Sequence, residues 1–388
     1  MNTGEPNREF GEKLSPFLHD RLATFEQTLG TDSAAYRALA GQYCFDEQEN
    51  EIDWKAERRR HYEAELLSNT EGAYLKGVER LYRRVALIDI TTACVAHCRY
   101  CLRRLYPGFT LTPDEISEAA RFFGDNENRD DLREILITGG DPLLVPDLLE
   151  IAIDAIGEFA PNIEAVRIGS RLPVQQPNAV TERVLHALRS RTRPRIELAT
   201  QVNHPAELAR ESTEAYMAIT DAGVRIYNQQ VLLRGVNDDL ATLVELYDNL
   251  RSLRIEAHYM FHCVPVRGVS HLRTSIAEGL TLIRKLSSSG WISGRAKPMY
   301  TAMTDIGKVT LYEGTIVSKR GDMVLLQTEY LEADRRRWNP SWTCPDSVGV
   351  DPQGRLTVWY QDAETHNEGW PTTYFIDSER PGGQTSNA

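Results

Sequence analysis

Between residues 81 and 300 short apolar runs alternate with longer stretches of helical period. The runs 85–90, 134–138, 165–169, 195–200, 224–232 and 255–261 are rich in β-branched and aromatic residues and too short for ordinary helices, so they predict strands. The intervening segments near 113–124, 146–159, 180–190, 206–221, 238–253 and 274–289 predict helices. Several begin with residues suited to helix entry: Thr112-Pro113 ahead of Asp114 and Glu115, Asn203-His204-Pro205, and Asn237-Asp238. A series of βα units predicts a parallel sheet covered by helices. A doubly wound sheet and a partial (β/α)6 barrel both satisfy this periodicity.

The flanks read differently. Residues 1–80 are expected to be helical and charged, as in the run from Ala56 to His61. Residues 301–376 read as short strands and turns rich in aromatics, and the tail 377–388 as disordered. Trp338 and Trp342 are expected in core or subunit contacts, and Cys44 in packing.

Composition narrows the class. The 388 residues carry a net charge of −12, which argues against a protein that tracks nucleic-acid phosphates. No run of apolar residues is long enough to span a membrane, and the polar N-terminus lacks a secretory apolar core, so a cytoplasmic protein is expected. Of six cysteines, Cys94, Cys98 and Cys101 fall together, a distribution suited to an intracellular metal site and not to a disulfide framework.

The triad stands in Thr92-Ala-Cys94-Val-Ala-His-Cys98-Arg-Tyr-Cys101-Leu-Arg103, directly after the first predicted strand. Three thiolates so spaced can hold three irons of a [4Fe–4S] cluster and leave the fourth open to a small molecule. A structural zinc ion would need four closed ligands, and His97 sits inside the loop next to Cys98. Other polar residues also follow strand ends, where ligands gather in both candidate folds: Gly139-Gly140-Asp141, Ser170-Arg171, Asn203-His204 and Arg234.

The cysteine spacing, with Tyr100 before the last cysteine, resembles the radical S-adenosylmethionine (SAM) superfamily. The resemblance implies a cluster whose open iron binds the methionine part of SAM, and an electron transfer that yields the 5′-deoxyadenosyl radical. It also implies that the segment Gly139-Gly140-Asp141 meets the methionine amino group.

Further motifs in order narrow the likeness: 136–144, 167–173, 203–205, 228–238 and 268–274. Together they resemble the lysine 2,3-aminomutase family over roughly residues 75–310. That resemblance implies a partial (β/α)6 barrel over 81–300, with a helical N-terminal region and a small C-terminal α+β region over 301–376. It implies pyridoxal 5′-phosphate held by Lys308, its phosphate met by Arg80 and Arg84, and the substrate carboxylate gripped by Arg103. Gly139, Gly140, Asp141, Ser170, Arg171, His204 and Gln230 are the further cofactor-binding positions it implies. The activity implied is transfer of an α-amino group to the β-carbon of a small amino acid, in a homo-oligomer served by a one-electron donor such as flavodoxin or ferredoxin.

The chain departs from the family where a lysine substrate's distant ammonium would be met. Cys263 is followed by Val264, not aspartate, and the run before Lys308 is the short Met303-Thr-Asp-Ile-Gly307. His262 and Arg267 suit an anionic or polar side chain better, so free lysine is not the expected substrate. The later cysteines that bind zinc in some members are missing, leaving Cys344, and no zinc is expected. Three other readings stay open: an aminomutase acting on a lysine side chain of a protein, a radical SAM enzyme without pyridoxal phosphate, and a noncatalytic iron–sulfur sensor.

Overall fold

The computed structural model describes residues 10–50, 66–68, 74–104, 108–189, 193–312, 314–340 and 342–365. The charged run 56–61 and the tail 377–388 lie outside the described residues. The described strands form two sheets. The first holds β1 (Leu66–Ser68), β2 (Tyr74–Glu79), β3 (Val85–Thr91), β4 (Glu134–Gly139), β5 (Ala165–Ser170), β6 (Arg195–Thr200), β7 (Arg225–Leu232), β8 (Ile255–His262), β9 (Met299–Thr304) and β10 (Gly307–Thr310), in that spatial order.

Strands β3 to β9 run parallel. Three antiparallel pairings finish its ends, β1 with β2 and β2 with β3 at one, β9 with β10 at the other. Sequential order without reversal is that of a singly wound barrel, and it excludes the doubly wound alternative. The sheet curls far enough that the Lys308 amide on β10 donates to the hydroxyl of Tyr82, which lies between β2 and β3 (2.7 Å). This is the partial barrel expected. It carries one more parallel strand, β9, than the six foreseen, and β9 delivers the hairpin that bears Lys308.

Alternation along the strands explains the layers. Ile88, Ile90, Ile135, Ile137, Val166, Ile168, Ile196 and Leu198 are buried in the main core. The intervening Leu136, Thr138, Arg167, Gly169 and Ala199 line the cavity inside the barrel. The helices Pro113–Gly124, Pro146–Phe159, Glu182–Leu188, Arg210–Asp221, Leu240–Ser252 and Ile276–Ser288 follow β3 to β8 in turn. Pro113–Gly124 opens with a capping box between Thr112 and Glu115 and buries Ile116, Ala119, Ala120 and Phe123. Asn237 and Asp238 do not start their helix, whose cap is Asp239. The Asn237 side chain instead accepts from Leu233 N–H (2.7 Å) and donates to the Asn203 carbonyl (2.9 Å), fixing the loop after β7.

The second sheet is antiparallel, ordered β11 (Ile316–Arg320), β12 (Met323–Leu331), β14 (Arg355–Gln361), β13 (Val348–Val350). It docks on the barrel through Tyr360, whose hydroxyl donates to His262 Nδ1 (2.8 Å), and through Asp362, which accepts from Ile276 N–H (2.8 Å). No helix among the described residues is long and apolar enough to cross a membrane.

Candidate active site

The chain leaves β3 at Thr91 and turns into the loop that carries the three cysteines. Two glycines let the backbone after β4 close on this loop. Gly140 N–H donates to the Thr91 carbonyl (2.6 Å) and Asp141 N–H to that of Ala93 (2.8 Å). Gly139 has φ +119°, and a Cβ on Gly140 would stand 2.1 Å from the Ala93 oxygen. Gly140→Ala therefore has to push the loop away, at about 1–3 kcal/mol or more. Its expected outcome is a several-fold fall in iron bound per chain after reconstitution, measured with the protein still folded by circular dichroism.

On the other side the N-terminal segment braces the same loop. Lys13 Nζ donates to the Cys94 carbonyl (2.6 Å), and the amides of His97 and Arg99 donate to the carbonyls of Lys13 (2.9 Å) and Gln42 (2.8 Å). Arg99 is paired with buried Glu49 (2.6 Å). His97 stacks on Phe10, ring centroids 4.7 Å apart, with Nδ1 on the Gly11 carbonyl (2.8 Å).

Cys94, Cys98 and Cys101 are free, partly exposed thiols at one cavity of about 530 Å³, which also reaches Gly139, Gly140, Asp141, Ser170, Arg171, Arg103 and Lys308. A cavity of that size suits a cofactor-sized ligand. Burial pushes the Cys94 and Cys101 thiols up, and crowding by neighbouring thiolates adds to it. A cationic centre, which an iron–sulfur cluster provides, would offset that crowding. Among the described residues no three His, Cys, Asp or Glu side chains are arranged to hold a single metal ion. A cubane makes a different demand, since each thiolate takes its own corner. The donor set thus fits the cluster.

Asp141 is buried and accepts from Ser170 Oγ (2.9 Å), Arg171 N–H (2.9 Å) and Leu143 N–H (3.1 Å); burial raises its pKa against these bonds. It thereby locks the ends of β4 and β5 together. Arg171 Nη1 donates to Cys98 Sγ (3.0 Å) and to the Tyr100 hydroxyl, while Nη2 pairs with Glu207 (2.5 Å) and meets Gln42 (3.1 Å). This buried guanidinium joins the N-terminal helix Ala34–Tyr43 to Cys98.

Lys308 projects into the same cavity, its Nζ 4.8 Å from the Tyr259 ring centroid and 5.6 Å from that of Phe261. Burial, reinforced by the positive charges of Arg167 and Arg103, pushes its pKa down to about 7. Among the described residues no carboxylate lies within ion-pair distance of this amine. Arg103 lines the cavity and is tied to buried Asp89 (3.3 Å). Its fork is thus oriented from one side.

Arg80, Arg84, His204 and Gln230, also expected at the site, do not line the cavity, whereas His262 does. The Arg80 guanidinium bonds Asn128 and the Arg83 carbonyl (3.2 Å) and faces Trp338; burial lowers its pKa to about 10. Arg84 donates to the carbonyls of Asp130 and Asp131 (3.2 and 3.0 Å). His204 caps the short turn Pro205–Glu207. Gln230 is buried on the other face of β7, and Gln229 lines the cavity in its place. His262 is fully buried, and burial drives its pKa to about 3. The Thr274 carbonyl can only accept, so Nε2 carries the proton and Nδ1 accepts from Tyr360. This neutral, doubly bonded ring does not serve an anionic substrate as a cation.

Sequence reading passed over Arg167, Gln229, Tyr82 and the N-terminal brace. Arg167 follows from β5 alternation, because Ile168 is core and its neighbours face inward. The brace carries no motif, and only folding shows what it touches.

The match to a family model, Radical SAM superfamily, spans residues 88–247. The chain is 35% identical over 257 residues to an L-lysine 2,3-aminomutase of Clostridium subterminale, covering 65% of this chain and 60% of that one. A glutamate 2,3-aminomutase of Clostridioides difficile is 34% identical over 65% of this chain and 59% of its own. A putative L-lysine 2,3-aminomutase of Aquifex aeolicus is 32% identical over 64% of this chain and 67% of its own. The chain thus spans about 60% of the length of the first two of these relatives. With the cysteine loop, the glycine segment and the curled parallel sheet all inside the matched region, this chain belongs to the radical SAM superfamily, as a divergent member of the lysine 2,3-aminomutase family.

Proposed function

We propose that the chain is a radical SAM, pyridoxal phosphate-dependent 2,3-aminomutase that moves the α-amino group of a free amino acid to its β-carbon. The observation that carries this reading is the Lys308 amine, enclosed with the cysteine triad in one cavity and about half neutral at pH 7. A lysine held neutral can attack an aldehyde; an ordinary surface lysine is protonated.

In this reading Cys94, Cys98 and Cys101 hold the cluster. The turn at Gly139–Asp141, fixed by Ser170 and Arg171, shapes the place for SAM. Lys308 carries the aldehyde, and Arg103, steadied by Asp89, orients the substrate carboxylate. Bound there, the cluster with SAM supplies a carbon radical, and pyridoxal phosphate supplies a π-system through which nitrogen can migrate. The chain's share is positioning and exclusion of water. Arg167, ion-paired with Glu134, stands beside Lys308 and Tyr259 where a phosphate or a second carboxylate would need a guanidinium.

The substrate is proposed to be a free amino acid with a neutral or acidic side chain. Val264 stands where lysine mutases resembling this chain place an aspartate, Asp305 accepts from Ser347 (2.5 Å), and the cations near Lys308 disfavour a second ammonium. A one-electron donor and a homo-oligomer complete the proposal.

The test is a screen of free amino acids with anaerobic, reconstituted protein, scored for 5′-deoxyadenosine and β-amino products. Acidic or neutral amino acids are expected to stimulate both at least tenfold over lysine. Turnover confined to an added protein substrate would falsify the free amino acid. Deoxyadenosine formation that is indifferent to pyridoxal phosphate would remove that cofactor.

A further inference from the structure

Lys308 lies on β10, the last strand of its sheet, paired on one side to Met303 of β9. A strand in that place lacks a second neighbour for its backbone groups. Here both groups of Lys308 are met by tyrosine hydroxyls. Its N–H donates to Tyr82 Oη (2.7 Å), and its carbonyl accepts from Tyr330 Oη (2.6 Å). The two rings come from distant places, the link between β2 and β3 and strand β12, and meet edge to face with centroids 6.0 Å apart.

The hairpin is built to accept this grip. Gly307 has φ +103°, and a Cβ there would stand 2.8 Å from Tyr82 Oη. The next residues back are also held from the C-terminal region: Ile306 C=O accepts from Arg335 Nη2 (2.8 Å), and Asp305 accepts from Ser347 Oγ (2.5 Å).

We infer that Tyr82 and Tyr330 are positioning residues for Lys308, a two-sided clamp on its peptide that keeps the amine inside the cavity. The inference rests on the reading of Lys308 as the residue that carries the cofactor. A lysine side chain has four rotatable bonds, so its amine is placed only as well as its backbone. With the peptide fixed, Nζ stands over the Tyr259 and Phe261 rings. Released, an edge strand can shift and the amine can reach water. The clamp also gives the second sheet a task in the chemistry, since Tyr330 belongs to β12.

The experiment is competitive acetylation of the protein without cofactor across roughly pH 6 to 11, with Lys308 quantified by mass spectrometry against Lys285 and Lys319. Groups facing Lys308 are Arg167 from β5, Arg103 from the cysteine loop, His258 and Tyr259 from β8, Tyr82, Tyr330 and, on its own hairpin, Asp305. Tyr330→Phe and Tyr82→Phe are each expected to slow Lys308 labelling at pH 7 about fivefold, the change for an amine whose pKa rises from about 7 by about one unit. Arg320→Gln serves as the control, because it removes the Arg320–Trp359 contact (4.9 Å) of the same sheet and is bonded to neither clamp tyrosine. It is expected to leave the Lys308 profile unchanged. The clamp is refuted if both tyrosine variants keep the wild-type profile, or if Arg320→Gln moves it equally. Borohydride treatment with pyridoxal phosphate separates the two ideas. A wild-type protein that forms no phosphopyridoxyl-Lys308 while both tyrosine variants shift the labelling retains the clamp and loses the cofactor reading.

Discussion

Serine in place of Cys94, Cys98 or Cys101 is expected to give a folded protein that binds no intact cluster and forms no 5′-deoxyadenosine above background. The sulfur-to-oxygen change replaces a soft thiolate by a hydroxyl that stays protonated near pH 7 and ligates iron poorly. The fold should survive. The loop is fixed by backbone bonds from Gly140, Asp141, Lys13 and Gln42, and the thiols of Cys94 and Cys101 are not among these anchors. Cys98 differs by one degree, since its sulfur accepts from Arg171 (3.0 Å) and Gln175 (3.3 Å), but a serine oxygen can accept in its stead. Iron and sulfide analysis, the visible spectrum and the thermal melt read the outcome together. Cys44→Ser and Cys344→Ser are the controls. Cys44 packs with Leu39 and Tyr43, its thiol pushed up to about 11 by burial, and Cys344 lies beside the second sheet. Both are expected to keep full iron. Equal iron in wild type and in a triple-serine chain would end the assignment.

Much of this arrangement was legible from residue order. Strand positions followed from β-branched runs such as Val166 and Ile168, because burial on both faces leaves a near-continuous apolar signature. The site followed from what stands after those strands, since parallel topology gathers their carboxyl ends. What remained hidden has physical causes. Strand alternation assigns Gln229 or Gln230 to the cavity only if the register is known, and an irregularity in pairing between β7 and β8 falls at Asn228 and Gln229. Arg80 and Arg84 sit in a basic run, but their rotamers are decided by Asn128, Asp130 and Asp131, 46 to 48 residues away. The boundary expected near 300 fell inside the barrel sheet, because β9 reads like any short strand and its pairing with β8 is nonlocal. The role of Gln42, Glu49 and Lys13 depends on contacts across 50 residues or more and leaves no local trace.

Lys308→Met is expected to remove cofactor attachment completely and, in the protein without cofactor, to raise stability. The two effects have one cause. The enclosed amine has a pKa of about 7 when folded and about 10.5 when unfolded. Between those values the unfolded chain binds the extra proton, so stability rises with pH across that window. Below about pH 7 the folded amine must be charged inside the cavity, and the full penalty applies. Above about pH 10.5 both states are neutral, and the penalty vanishes. The shift sets a ceiling near 5 kcal/mol, and because the amine borders an open cavity that water enters, about 2–4 kcal/mol is the expected gain for Met at pH 7. Denaturant melts at pH 7 and pH 10.5 test this, with the advantage of Met over Lys shrinking at the higher pH. The same neutral fraction should govern attachment: borohydride-trapped label on Lys308 is expected to rise with a midpoint near pH 7 in wild type and to be absent in Met. A Met variant no more stable than wild type at neutral pH, together with trapping that begins only near pH 10, would show that Lys308 is an ordinary solvated lysine. The amine's enclosure would then no longer single this lysine out.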